Sequence, residues 1–266
     1  MNKKCSIVLN VCSLLAVLAL AGCYEPTEYP EIVTTLQSPL SQEPLPFVIP
    51  GQYNIVGTSV RRLPILSFVL GQGPDVTFIL ATIHGDEPAG TPLVRHLGKY
   101  LQQNPHLMAG RTVVLLSVTN PDGMAYNSRY NANGVDLNRN FPAANRVNNK
   151  QSGTTALSEP EARVIEQLIE QYSPDRIISI HQPYGCIDYD GPGTTLAVRM
   201  AQYCDLPIKK LGPQPGSLGS YAGVGMGIPV ITFEMLQDDS ELDSETLWRR
   251  YGKALMAAIL YPVPVK

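Results

Sequence analysis

Val76-Thr-Phe-Ile-Leu-Ala-Thr-Ile-His-Gly-Asp-Glu-Pro-Ala-Gly90 decides how the rest of the chain is read. Its first eight residues, through Ile83, form an apolar run that predicts a buried strand ending at His84. Glu87 comes three residues later, and Pro88 suits the first turn of a helix. An imidazole and a carboxylate therefore leave one tight strand-to-helix corner. A catalytic zinc site takes three protein ligands and keeps one position open for water. The pair alone also describes a polar loop without metal. The reading depends on a third ligand, a base and an anion site at other strand ends.

Outward from this corner, Tyr53 to Val60 and Ile65 to Leu70 predict a hairpin. Pro88 to Gln103 has helical spacing at Leu93, Leu97 and Leu101. Thr112 to Val118 is a second buried strand, followed by a long polar segment from Asn120 to Thr155 of a length that is usually functional. Ser158 and Glu161 match a capping box for a helix to about Tyr172. Arg176 to Ile180 is a strand ending at His181, and Thr194 to Tyr203 a helix. Pro229 to Phe233 is a strand ending at Glu234, and Ser244 to Leu260 a last helix. Strands alternating with helices give an α/β class with a parallel or mixed sheet.

Three strands thus end in His84, His181 and Glu234. In open α/β sheets, ligands bind beyond the carboxyl ends of the strands. Two histidines and Glu87 make a zinc-peptidase ligand set, which leaves Glu234 as a carboxylate outside it, suited to general-base work. Each residue alone also reads as a hydrogen-bonded core histidine or a salt-bridged strand end. The polar segment contributes Arg129, Asp136, Asn138 and Arg139. A terminal carboxylate is matched by a planar, permanently charged fork, and an oxyanion by a second fixed donor. Arg129 and Arg139 can divide those tasks or simply tie down the loop.

His84-x-x-Glu87, Asp136-Leu-Asn-Arg-Asn-Phe-Pro142, Ser179-Ile-His181 and Thr232-Phe-Glu234 together resemble the carboxypeptidase A-like zinc metallocarboxypeptidases. The likeness spans about residues 55 to 260. It implies a three-layer α/β/α sandwich around a mixed, mostly parallel sheet of about eight strands. It implies one zinc ion on His84, Glu87 and His181, and Arg129 polarising the scissile carbonyl. Asn138 and Arg139 would hold the substrate's terminal carboxylate, Asp136 would orient His84, and Glu234 would be the base and then the acid. The chain also looks like the murein tripeptide amidase group, through His84 to Gly90, Asn120-Pro-Asp-Gly123, His181 to Asp188 and Pro215 to Ser220. That likeness implies cleavage between γ-D-glutamate and diaminopimelate. The side-chain ammonium of diaminopimelate needs an acidic partner, and the segment after His181 offers Asp188 for it, with Asp190 nearby; both also read as solvated loop residues. A general carboxypeptidase, or a murein-peptide binding protein on the same fold, are the alternatives. The flexible tyrosine by which the digestive enzymes close on substrate has no clear counterpart, since Tyr221 is poorly placed.

The chain opens with a positive start, an apolar stretch from Ile7 to Ala21, and Leu20-Ala-Gly-Cys23. This reads as a secretory signal over residues 1–22, and its ending resembles a bacterial lipobox. That implies lipid on Cys23 and a protein held to a membrane in the cell envelope. A plain anchor is the alternative, though the run is short for a spanning helix, which takes about 20 residues. Residues 23–50 carry six prolines beyond the cysteine and read as a tether. Residues 51–266 remain for one catalytic domain. The net charge is −3, or −5 without Lys3 and Lys4, and no basic stripe invites nucleic acid. Cys186 and Cys204 remain in the domain, as a disulfide or as two buried thiols.

Overall fold

The computed structural model describes residues 51–262. The signal, Cys23 and the tether lie outside the described residues. The chain forms a hairpin of β1 (Tyr53–Thr58) and β2 (Pro64–Gly71), then β3 (Asp75–Ala81), α1 (Gly90–Gln103), β4 (Arg111–Leu116) and the short α2 (Pro121–Ala125). After the polar segment come α3 (Pro160–Tyr172), β5 (Arg176–His181), β6 (Tyr184–Asp190), α4 (Thr194–Ala201), β7 (Val230–Leu236) and α5 (Ser244–Ile259).

The sheet order is β1-β2-β4-β3-β5-β7-β6. The α/β class and the mixed sheet agree with expectation. Among the described residues there are seven strands where about eight were expected. Parallel pairing is confined to the middle, at β4-β3, β3-β5 and β5-β7, with antiparallel pairs on either side. The extra strand β6, unforeseen from the sequence, returns antiparallel on β7 and forms the edge beside the site.

Alternation along the inner strands splits the core into two layers. Phe78 and Leu80 of β3 face Val164, Ile165, Leu168 and Ile169 of α3. Ile79 and Ala81 face the other way, toward α1, α4 and α5. All of these are buried. Truncating Phe78 to alanine would cost about 3–5 kcal/mol by the lost burial and the cavity left behind.

Two helix starts differ from the sequence reading. Pro88 sits in the turn before α1, where its carbonyl accepts from Thr91 N at 3.0 Å. The Ser158–Glu161 capping box does not form. Glu159 occupies the cap position without a side-chain bond to the helix N–H groups, and Glu161 is fully buried, accepting from Val60 N at 3.1 Å and Asn131 Nδ2 at 3.1 Å. The template residues are present, but Glu161 is used to tie α3 to the β1–β2 turn. No described helix is long and apolar enough to cross a membrane.

Candidate active site

Strand β3 stops at Ala81, three residues before His84, because Thr82 turns into the left-handed region with φ 54°. That conformation is costly for a β-branched residue, and its surroundings hold it there. Thr82 Oγ1 lies 2.7 Å from Thr91 Oγ1, and its carbonyl accepts from Asn120 N at 2.9 Å. Gly85 then passes so close to the backbone of Gly123 in α2 that a Cβ there would overlap it. The corner thus delivers His84 and Glu87 as a fixed pair, with Glu87 N donating to His84 O at 3.2 Å. His181 comes from the last position of β5.

His84, Glu87 and His181 are buried, and their ligating atoms lie within 4.8 Å of one another. His84 Nδ1 is 2.8 Å from one Glu87 oxygen and His181 Nδ1 is 2.8 Å from the other. The second nitrogens are taken elsewhere: His84 Nε2 is 3.1 Å from Asp136 Oδ1, and His181 Nε2 is 2.9 Å from Ser179 Oγ. An ionised carboxylate only accepts, so His84 Nε2 carries a proton for Asp136. In neutral His84 the Nδ1 lone pair then faces a carboxylate oxygen. A cation among these atoms converts that repulsion into ligation, and the N, N, O donor set suits zinc. The residues fit the metal. The charge balance tells the same story. Burial would lower the His84 pKa, but Asp136 and Glu87 outweigh it and raise it. Burial would raise the Glu87 pKa, and the two histidines hold it well below the carboxylate range.

Asp136 is the hub of the neighbouring residues. Besides His84, it accepts from Arg129 Nε at 3.0 Å and from Asn138 N at 2.9 Å. Burial opposes its ionisation, yet His84, Arg129 and Arg139 keep its pKa far below normal. Arg129 also reaches Glu87 Oε1 at 3.3 Å. The oxygen of the Asn138 side chain accepts from Leu218 N at 2.9 Å, which orients the amide and leaves its Nδ2 donors for a ligand. Arg139 donates to Asn138 O at 2.7 Å. Glu234 lies opposite His181 in the β5–β7 register, inside β7 rather than at its end. Burial raises its pKa above the ordinary glutamate range.

These side chains line one cavity of about 380 Å³. Its lining also includes Asp188 and Asp190, both on β6 and both buried. The reading of these two as solvated loop residues is thereby excluded. Tyr221 stacks on Phe141 at 5.8 Å and is absent from the cavity lining, while the exposed Tyr184 stands at the cavity wall beside Glu234. Cys186 and Cys204 are free thiols. The cavity therefore unites His84, Glu87, Arg129, Asn138, Arg139, His181, Asp188 and Glu234, with Asp136 behind it. Ser179, quoted only as part of a motif, and Gln182 were given no role from the sequence. Ser179 sits two residues before His181 on the same strand face, a spacing that could have revealed it. Gln182 braces the corner by accepting from Ala89 N at 3.1 Å and donating its own N–H to Glu87 at 3.2 Å, and no sequence pattern signals this.

A family model described as zinc carboxypeptidase matches residues 52–189. The chain belongs to the zinc carboxypeptidase family. Among curated relatives of this zinc carboxypeptidase, murein peptide amidase A of Escherichia coli K12 is 35% identical over 208 residues, 71% of this chain and 83% of the relative. The protein of the same name from Vibrio campbellii is 29% identical over 232 residues, 80% of this chain and 90% of the relative. The solved murein-tripeptide amidase of Escherichia coli O157 superposes with a TM-score of 0.61 at 30% identity, covering 82% of this chain and 95% of that one.

Proposed function

We propose that this zinc carboxypeptidase removes the C-terminal residue of cell-wall peptides by cutting the amide between γ-D-glutamate and meso-diaminopimelate. The observation that carries this reading is the cavity itself. Its lining combines the metal-type cluster of His84, Glu87 and His181, the donors of Asn138 and Arg139, and the buried acids Asp188 and Asp190. The likeness to murein peptide amidases supports it further.

One zinc ion per chain would rest on His84, Glu87 and His181 and supply Lewis acidity toward the carbonyl and the attacking water. Glu234 takes the proton from that water and passes it to the leaving amine. Its buried setting, with the pKa raised, suits a group that must hold a proton between the two steps. Arg129, fixed by Asp136, donates to the scissile carbonyl as negative charge develops there. Arg139 and the Nδ2 donors of Asn138 hold the terminal carboxylate, and Asp188 faces the ammonium of the diaminopimelate side chain. A side chain of leucine type offers nothing to a buried carboxylate, and leaving one unpaired is costly. The lipobox-like Leu20-Ala-Gly-Cys23 supports a lipid on Cys23 and a domain tethered in the cell envelope, facing murein.

The test compares kcat/KM on L-alanyl-γ-D-glutamyl-diaminopimelate with the same peptide ending in leucine. A charge-assisted contact of about 1.5–3 kcal/mol gives a preference of roughly ten- to a hundredfold. Equal rates on the two peptides replace the cell-wall reading with a general carboxypeptidase. No cleavage of either leaves a binding protein.

A further inference from the structure

Tyr184 opens β6, opposite Leu236 of β7, on the strand face it shares with Asp188 and Asp190. All three line the cavity, and Tyr184 is the only tyrosine among the described residues that do. Asp188 and Asp190 are buried, whereas Tyr184 is 62% exposed and belongs to neither core cluster. Its backbone N lies 3.5 Å from Glu234 Oε2. Its phenol is near enough to Arg139 to act electrostatically on the guanidinium. The side chain thus starts beside the base and carries a hydroxyl within range of the proposed carboxylate binder. Four residues of strand separate it from Asp188, about 13 Å at roughly 3.3 Å per residue. The two therefore serve different parts of a bound substrate.

An ionised carboxylate offers about four lone-pair sites, and a bidentate arginine occupies two of them. A phenol O–H is a neutral donor, so it can join the arginine without repelling it. Its ring, laid over the pair, keeps water off the contact and strengthens it. We infer that Tyr184 is a further substrate-binding residue: its hydroxyl donates to the substrate's terminal carboxylate beside Arg139, and its ring closes over the leaving residue. This rests on the proposed function only in taking peptides with a free C-terminal carboxylate as substrates, whatever their last side chain.

The experiment measures kcat and KM on free-acid peptides ending in diaminopimelate or leucine and on their C-terminally amidated forms. Tyr184→Phe keeps the ring and the backbone N–H at Glu234 and loses only the hydroxyl. KM for the free acids rises about tenfold, the size of one lost hydrogen bond to a charged group. The amidated peptides change far less, and zinc affinity in a chelator competition stays at the wild-type value. The same contrast appears in the Kd of the free-acid peptide measured in a Glu234→Gln background, which needs no turnover. Tyr184→Ala, which also loses the ring, weakens the free acids at least as much. An equal effect of Tyr184→Phe on free acids and amides overturns the inference, as does a phenylalanine variant that matches wild type while the alanine variant is impaired. If diaminopimelate is preferred over leucine but the free-acid contrast is missing, the inference falls and the proposed function stands. If leucine is cut equally fast and the contrast is present, the cell-wall reading falls and Tyr184 keeps its role.

Discussion

Replacing Asp136 with asparagine removes the one charge that His84, Arg129 and Asn138 all lean on. The wild-type carboxylate meets His84 Nε2 at 3.1 Å, Arg129 Nε at 3.0 Å and Asn138 N at 2.9 Å. An asparagine can serve His84 and Asn138 with its single oxygen, but its amide then turns N–H donors toward the Arg129 guanidinium. Partners of this kind behind a metal histidine are worth about 10–100-fold in metal affinity. Loss of one aimed donor to a developing oxyanion costs about 10²–10³ in turnover. The two effects separate by zinc concentration. A chelator-competition titration should show zinc binding about 10–100-fold weaker in Asp136→Asn. At saturating zinc, kcat/KM should stay at least about tenfold below wild type, because Arg129 has lost its anchor. Values within about a factor of three of wild type in both assays would mean that Asp136 only ties down its loop.

Glu234→Gln should bind zinc like the wild type and lose nearly all turnover, since the acceptor for the water's proton is gone; turnover near the wild-type rate assigns the proton to another group. Because burial raises the Glu234 pKa, activity should fall with decreasing pH through a limb in kcat/KM above the ordinary glutamate value of 4.5. A limb at or below that value contradicts the assignment. Arg139→Lys should raise KM by about tenfold or more for free-acid peptides, as one ammonium replaces a bidentate fork. It should change the weak cleavage of C-terminally amidated peptides far less, and an equal effect on both refutes the role.

Most of the site was legible because its residues sit where backbone periodicity puts them. His84 lies three residues past the end of β3, His181 closes β5, and the short polar run from Asp136 to Arg139 carries the hub and the proposed carboxylate binder. What escaped the sequence did so for physical reasons. Tyr184–Asp190 contains Gly185 and two aspartates and reads as a loop. Only its pairing with β7, Cys186 opposite Glu234 and Asp188 opposite Thr232, makes it a strand and turns both acids inward. The Ser158–Glu161 template predicted a cap, but a tertiary demand at Val60 and Asn131 claimed Glu161 instead. The strand before the metal corner reads two residues too long, because nothing in a threonine marks it for the left-handed conformation Thr82 adopts.

Metal content bears most directly on the site. The purified protein, stripped with a chelator, reloaded and analysed for bound metal, should hold one zinc ion per chain. His84→Ala and His181→Ala should each lose it, since either leaves two of the three donors. Full zinc occupancy in both variants would place the metal elsewhere and remove the basis for the proposed chemistry.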